Sequence, residues 1–376
     1  MTEAPCPRQV VVIGAGLIGT SAALALRRGG TGVWLWDRNP AAAALAADLG
    51  AGQVLDTQDG PAPDPPDLAL LAVPPAEVAA VLARAQRAGL ARWYTDVASV
   101  KALPLARARE AGCDISRYVP GHPLAGRERS GPAAARADLF LGRAWALCPA
   151  PETSAAAVAA VTAMVTACGA EPVITDADTH DRWVALVSHA PHVVAAAMAA
   201  QLGRPSVPPE ALALAGQGLR DATRIAVGDV DLWTQILTGN AAPVAAVLAE
   251  VAAGLADAAR VLAGIGDSGS PGAAAPEAGK HLALLLEQGR AGVARIPGKH
   301  GGPARAFSAV QVVISDRPGE LARLFAAAAE AGVNIEDVGI EHSPGQPVGV
   351  AELSVRPESA GALIAALAAG GWPVRR

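Results

Sequence analysis

The chain has 376 residues, enough for two or three domains with a buried core. Its hydrophobic fraction of 52% leans on alanine, since aromatics make up only 3%, and its net charge of -5 offers no basic stripe for nucleic acid. Forty glycines and thirty prolines fall into no repeat, which excludes a collagen-like chain.

Cys6, Cys113, Cys148 and Cys168 lie far apart with no C-x-x-C spacing. Neither a disulfide framework nor a zinc site is expected, and a reducing cytoplasm is the simpler setting. Residues 1–9 lack the charged-then-apolar pattern of a signal peptide, and no leucine-rich run suggests a membrane span. A soluble protein is expected.

In chain order, Gln9 to Ile13 is an apolar, β-branched run that leads into Gly14-Ala15-Gly16-Leu17-Ile18-Gly19. A helical stretch to Arg28 follows, then a strand from Val33 to Trp36 that ends at Asp37. This is G-x-G-x-x-G in its strand-turn-helix context. Gly14 makes the tight turn, Gly16 lets the backbone approach a pyrophosphate, and Gly19 packs helix on sheet. The amides around Leu17 and Ile18 sit at the helix N-terminus, where a phosphate is favoured. Asp37 suits the ribose hydroxyls of NAD and repels a 2′-phosphate, whereas Arg38 next to it would serve NADP. NAD is the expected cofactor.

The alternation continues. Leu68 to Val73 is a strand that runs into Pro74 and Pro75, and Val73 and Pro74 are expected beside the cofactor. An amphipathic helix from Ala76 to Ala88 precedes a strand from Trp93 to Val97 and a helix from Lys101 to Ala111. Trp145 to Pro149, Glu152 to Cys168 and Glu171 to Thr175 supply a further strand, helix and strand. Strands alternating with helices imply a Rossmann-like, doubly wound parallel sheet over residues 1–175, with ligands at the carboxyl ends of its strands.

Two of those ends carry chemistry. Ser99 and Lys101, the latter a candidate substrate contact, follow the strand ending near Val97, and Ser99 reads equally as an N-cap for the next helix. The segment from Tyr118 to Gly126 holds His122 between Gly121 and Pro123. Pro123 keeps His122 extended, which presents an imidazole on a stiff backbone as a general base. The bland alternative is a solvated turn histidine.

From Asp176 to about Gly264 alanine-rich helices replace strands. The first carries His180, His189 and His192, with Pro191 expected to kink it. His189 and His192 share a helix face. They read as a pocket wall, as a buried structural pair or, with no completing carboxylate or thiolate, least readily as metal ligands, so no metal is expected. Arg224 sits in a mostly apolar setting suited to clamping a carboxylate, with Arg220 as the more solvated alternative and Trp233 shortly beyond. The apolar surface of residues 176–265 exceeds what one sheet edge can cover, so a homodimer through these helices is expected.

Residues 266–305 read as a Gly/Ser/Pro-rich linker, a connecting helix and a basic loop, Arg295 to Gly302, that is either a connector or an anion site. Residues 306–376 follow a β-α-β-β-α-β, ferredoxin-like order. The turn Asp316-Arg317-Pro318-Gly319 leads there into a helix N-terminus, and Asn334 opens the next strand.

The glycine fingerprint, Asp96–Lys101, His122–Glu128, His180–His192 and Arg224 with Trp233 together resemble the prephenate/arogenate dehydrogenase family of tyrosine biosynthesis. Residues 306–376 resemble an ACT domain, a small amino-acid-binding regulatory module, and the resemblance makes Asp316, Pro318, Gly319 and Asn334 candidate contacts for an amino-acid effector. The resemblance implies NAD-dependent oxidative decarboxylation of prephenate to 4-hydroxyphenylpyruvate, with His122 as catalytic histidine and Ser99 as its hydrogen-bonding partner. It implies that His192 and Arg224 contact substrate, and that Glu128, His180 and Trp233 shape or gate the pocket. It also implies a homodimer under tyrosine control. Ala190 departs from the larger apolar residue common in the family. Arogenate, or a non-catalytic nucleotide and amino-acid sensor, are the alternatives.

Overall fold

The computed structural model describes residues 6–55, 65–126, 129–267, 275–296, 307–342 and 347–375. The chain divides into two compact units, Met1–Ala253 and Gly254–Arg376.

In the first unit the run after Arg8 forms β1 (Gln9–Ile13), followed by α1 (Leu17–Arg28) and β2 (Gly32–Trp36). A helix and strand unforeseen in the sequence follow, α2 (Pro40–Asp48) and β3 (Gln53–Val54). Asn39 accepts from the Ala41 amide and Pro40 opens the helix, so the start signals were local, but an alanine run shows no apolar period. Then come β4 (Leu68–Leu71), α3 (Val78–Arg87), β5 (Trp93–Asp96), α4 (Ala102–Glu110) and β6 (Tyr118–Val119).

These six strands form one parallel sheet in the order β3-β2-β1-β4-β5-β6, the doubly wound arrangement. β1 is buried on both faces. Val10 and Val12 pack with Ala22 and Leu26 of α1, while Val11 and Ile13 pack with Val78 and Leu82 of α3. A strand covered on both sides reads as a continuous apolar run, as this one does.

The segment around His122, expected at the carboxyl end of a strand, belongs to two sheets. β6 ends at Val119, and after Pro120 the chain enters β7 (Gly121–Pro123), which pairs antiparallel with β8 (Ala144–Leu147). After α5 (Ala155–Ala167), β9 (Glu171–Ile174) pairs parallel with β8 to complete this three-stranded sheet. The switch between sheets leaves His122 at the carboxyl edge of the large one.

The helical segment contains α6 (Ala177–Val184), α7 (Ala190–Leu202), α8 (Pro209–Ala213), α9 (Gln217–Thr223), α10 (Val230–Gly239) and the long α11 (Ala241–Asp267). α6 and α7 are joined without a break by a π-helical turn, Ala185–His189. Pro191 has no amide hydrogen to give the carbonyl four residues back, so the sequence favours a distortion here, and it takes the form of this wider turn. Ala177–Leu202 and Ala241–Ile265 are long and apolar enough to cross a membrane by length and composition alone. Both are alanine-rich rather than leucine-rich, with mean hydropathies of 1.4 and 1.5. The first of them carries the buried His180, Asp181 and His189.

In the second unit α12 (Ala275–Val293) precedes β10 (Ser308–Ser315), α13 (Glu320–Glu330), β11 (Ile335–His342), β12 (Val348–Val355), α14 (Pro357–Ala369) and β13 (Val374–Arg375). The sheet order is β11-β12-β10-β13 with antiparallel pairing throughout. Val310, Val312, Leu324, Leu353, Leu363 and Leu367 form its core.

Candidate active site

Gly14 has φ +106°, and a Cβ there would lie 2.1 Å from the Ala72 carbonyl oxygen. At Gly19 a Cβ would lie 2.0 Å from the Gly14 oxygen. Both positions therefore require glycine for packing. Gly16 differs, since nothing lies within 4 Å of where its Cβ would be. That open space, ahead of an α1 N-terminus with no side-chain cap, leaves the Leu17 and Ile18 end of the helix for a phosphate.

Asp37 also holds this loop in shape. Its carboxylate accepts from the Ala15 amide at 2.7 Å and from the Asn39 amide at 2.7 Å. Arg38 turns to Glu77 at 3.0 Å, an exposed pair. Val73 and Pro74 follow β4, and Pro74 caps a 3-10 turn, Pro75–Glu77, against which α10 packs. The residues fit a dinucleotide with unmodified ribose hydroxyls at the end of β2.

Next to this crevice a closed ring of polar contacts joins β5, α4, β7 and α6. Asp96 is fully buried at the end of β5 and accepts from the Ala98 amide, the Tyr118 hydroxyl, the Gly121 amide and the Lys101 ammonium. Burial and the Asp96 carboxylate hold the Tyr118 phenol well above its ordinary value, so it stays a donor. The Lys101 Nζ also donates to the Gly121 carbonyl. Lys101, expected at the substrate, is instead fully buried, with its charge spent on tying β5 to the strand that carries His122. A buried lysine is tolerated because it is paired and hydrogen-bonded.

His122 Nδ1 lies 2.9 Å from His180 Nε2, and His180 Nδ1 lies 2.8 Å from Asp181 Oδ1. All three side chains are buried. Asp181 also caps α4, accepting from the Lys101 and Ala102 amides at 2.9 Å each. Ser99, which the sequence offered as that cap, does not serve it and sits half-buried beside the ring. Asp181 carried no local signal, because its capping partners are 79 and 80 residues away. Burial, aided by His180, Lys101 and His189, pushes the His122 pKa well below the ordinary histidine value. The ring is therefore neutral at pH 7 and able to accept a proton.

The π turn brings His189 and His192 to Trp233 of α10. His192 stacks on it with ring centroids 3.5 Å apart, and His189 meets its edge at 6.1 Å. His189 Nδ1 contacts Asn240, whose amide also donates to the Asp181 carbonyl. Burial lowers the His189 pKa to about 4 and lowers that of His192 as well. Both histidines are buried against Trp233, an arrangement compatible with a pocket wall or a buried structural pair.

Arg224 begins a 3-10 turn, Arg224–Val227, that packs against α7, the helix bearing His192. Its side chain is exposed in the single chain, unlike the apolar setting its neighbours suggested, and so is Arg220. Glu128 lies outside the described residues, as does most of the Arg295–Gly302 loop. In the second unit Gly319 has φ +90° and caps α13 with nothing within 4 Å of a would-be Cβ. The Asp316 and Arg317 amides are engaged by Pro347 and Ser315 carbonyls in the same turn as Pro318, and Asn334 donates to Glu336 at 2.9 Å.

Comparison with known proteins gives the same picture. A family model described as "Prephenate dehydrogenase, nucleotide-binding domain" matches residues 22–174, and one described as "Prephenate dehydrogenase, dimerization domain" matches residues 176–267. The chain is 41% identical over 368 residues to the probable prephenate dehydrogenase NovF of Streptomyces niveus, covering 97% of this chain and 99% of that one. It is 34% identical over 251 residues to the cyclohexadienyl dehydrogenase of Zymomonas mobilis, covering 64% of this chain and 84% of the relative. Among solved structures, the A. aeolicus prephenate dehydrogenase bound to hydroxyphenyl propionate and NAD+ superposes with a TM-score of 0.65 at 25% identity, covering 78% of this chain and 100% of that one.

Proposed function

The chain belongs to the prephenate dehydrogenase family, with NAD as its cofactor, and we propose that it catalyses the oxidative decarboxylation of prephenate to 4-hydroxyphenylpyruvate. The observation that carries this reading is a neutral, buried His122 beside a dinucleotide crevice.

NAD, when bound, accepts a hydride from the ring carbon that bears the hydroxyl. His122 takes the hydroxyl proton as the C–O bond gains double-bond character, and Ser99 orients the hydroxyl. The electron pair of the bond to the ring carboxylate then flows into the ring as carbon dioxide departs, and the ring becomes aromatic as a phenolate, to which His122 returns the proton. Arg224 holds a substrate carboxylate, while His192 and Trp233 form an apolar wall along the side chain. The ion pair of Arg38 with Glu77, together with Asp37, supports NAD over NADP. The test is a coupled measurement of NADH and carbon dioxide from prephenate, run in parallel with arogenate. Faster turnover of arogenate would transfer the same chemistry to that substrate.

The working form we propose is a cytoplasmic homodimer joined through residues 176–265. Trp183 at 52%, Leu186 at 61% and Val187 at 68% exposure form an apolar face opposite the buried histidines, which supports that interface. A monomer by sedimentation at micromolar concentration would overturn the dimer.

Residues 306–376 we assign as an ACT module that senses tyrosine. Gly319 at an uncapped helix N-terminus suits the ligand carboxylate, and Asn334, its amide nitrogen held by Glu336, offers its oxygen to the ligand's amino group. Asp316 and Pro318 shape the turn. Tyrosine should inhibit the full chain, and Asn334→Ala should weaken that inhibition without changing basal turnover. Equal inhibition of both would remove tyrosine from this unit.

A further inference from the structure

Asp181 is acceptor-only as a carboxylate, and it already takes the Lys101 and Ala102 amides. Its 2.8 Å contact with His180 Nδ1 must therefore be an N–H donated by the imidazole. A neutral His180 protonated at Nδ1 has only a lone pair at Nε2. The 2.9 Å contact between that atom and His122 Nδ1 then needs the hydrogen on His122. This leaves the lone pair of His122 at Nε2, a nitrogen with no protein hydrogen-bond partner among the described residues.

We propose that Asp181 and His180 are positioning residues that fix the tautomer of His122, so that Nε2 is always the basic nitrogen offered to substrate. The assignment rests on the proposed role of His122 as general base. It adds two residues that no sequence pattern joins, one expected only to shape the pocket and the other without a local signal. When His122 gains a proton at Nε2, its Nδ1–H is already directed at His180, whose ring dipole is oriented by the Asp181 charge. The positive charge forms against a partner that needs no reorganisation.

The groups facing this chain are few. Lys101 and Asp96 lie behind His122 from α4 and β5, and His189 approaches from the π turn. Asn240 of α10 bridges His189 to the Asp181 carbonyl. Asp181 also lines a cavity of about 640 Å³ with Asp178, Arg182 and Asn240, so solvent can reach this end of the chain. Lys101 and Asp96 neutralise each other, which leaves Asp181 as the charge that sets the polarity of the two-imidazole chain.

The test combines nitrogen NMR of the imidazoles with kinetics on the full-length enzyme. The His122 signals are assigned by difference with His122→Asn. In the wild type near pH 7.5, about one unit above the ordinary histidine value, His122 should show a protonated Nδ1 and an unprotonated Nε2. His180→Leu keeps the α4 cap but removes the acceptor, and should lower kcat by about 10²-fold or more with NAD affinity unchanged. His180→Gln restores an acceptor for the Nδ1–H and should recover much of that loss. Asp181→Asn offers an amide N–H to His180, and should populate the reversed tautomer at His122 and shift the acid limb of the pH profile. A wild-type His122 protonated at Nε2, or a His180→Leu enzyme with unchanged kcat and pH profile, would overturn the proposal. The tautomer is read without substrate, so a correct tautomer with no turnover of prephenate would instead count against the proposed function alone.

Discussion

His122 and His180 meet ring to ring, Nδ1 to Nε2 at 2.9 Å, with their planes 74° apart. One ring belongs to the strand at which the chain changes sheets, the other to the first helix after the strands end. The base is thus built only when the two halves of the first unit pack together.

Replacing His122 with Asn retains a hydrogen-bonding side chain but removes the base. NAD affinity should hold, while kcat falls by about 10²–10⁴-fold, the usual worth of a positioned general base. Fluorescence titration of NAD beside steady-state rates separates the two. Normal turnover by this variant would move the base elsewhere.

Acid should act on both activity and stability. His122 must be neutral to accept a proton, and its depressed pKa places the acid limb of kcat/KM below the ordinary histidine value of about 6.5. For stability, His189 titrates near 6.5 in the unfolded chain and at about 4 in the fold. Above the unfolded value both states are neutral and nothing is lost. As pH falls through the window to about 4, the unfolded chain binds protons that the fold refuses, so stability declines, by on the order of 3 kcal/mol for such a shift. His122, also depressed by burial, adds to the decline below the unfolded value. Urea midpoints between pH 7.5 and 4 should fall, and a flat profile would contradict the burial of these rings.

The glycine loop separates packing from binding. Gly14→Ala forces a side chain onto the Ala72 carbonyl at positive φ, and should lower stability by about 2 kcal/mol or more. Gly16→Val meets open space at an ordinary backbone angle, φ -77°, and should keep the melting temperature while NAD binding drops steeply. Calorimetric melts with and without NAD distinguish them, since only an intact cofactor site gains stability from ligand.

Gly228 is the place to disturb the wall without touching the base. A Cβ there would lie 2.3 Å from Trp233 Nε1 and 3.0 Å from His192 Cε1, so Gly228→Ala must displace the stacked pair. KM for substrate should rise several-fold with the NAD constant unchanged. An unaltered KM would remove Trp233 and His192 from the substrate wall.

Much of this site was legible because its signals are local. Gly14, Gly16, Gly19 and Asp37 sit within one strand-turn-helix-strand unit, and Pro123 marks His122 in sequence. What could not be read depends on partners brought together by packing. Lys101 looked like a substrate contact because no sequence pattern reveals that Asp96 and the Gly121 carbonyl absorb its charge. Asp181 carried no signal of its own, since its carboxylate meets its partners at the start of α4 only on folding. Arg224 shows the converse, as an apolar neighbourhood in sequence became an exposed position on a short turn. The helix α2 escaped because alanine carries neither period nor face.

The central claim is that this chain removes hydride and carbon dioxide from prephenate with NAD. Its most direct test is the absorbance of NADH on mixing purified full-length protein, NAD and prephenate, with arogenate and NADP as parallel arms. Rapid NADH formation with prephenate and NAD, lost in His122→Asn, is the expected result. No NADH from prephenate under conditions where NAD binds would contradict the account.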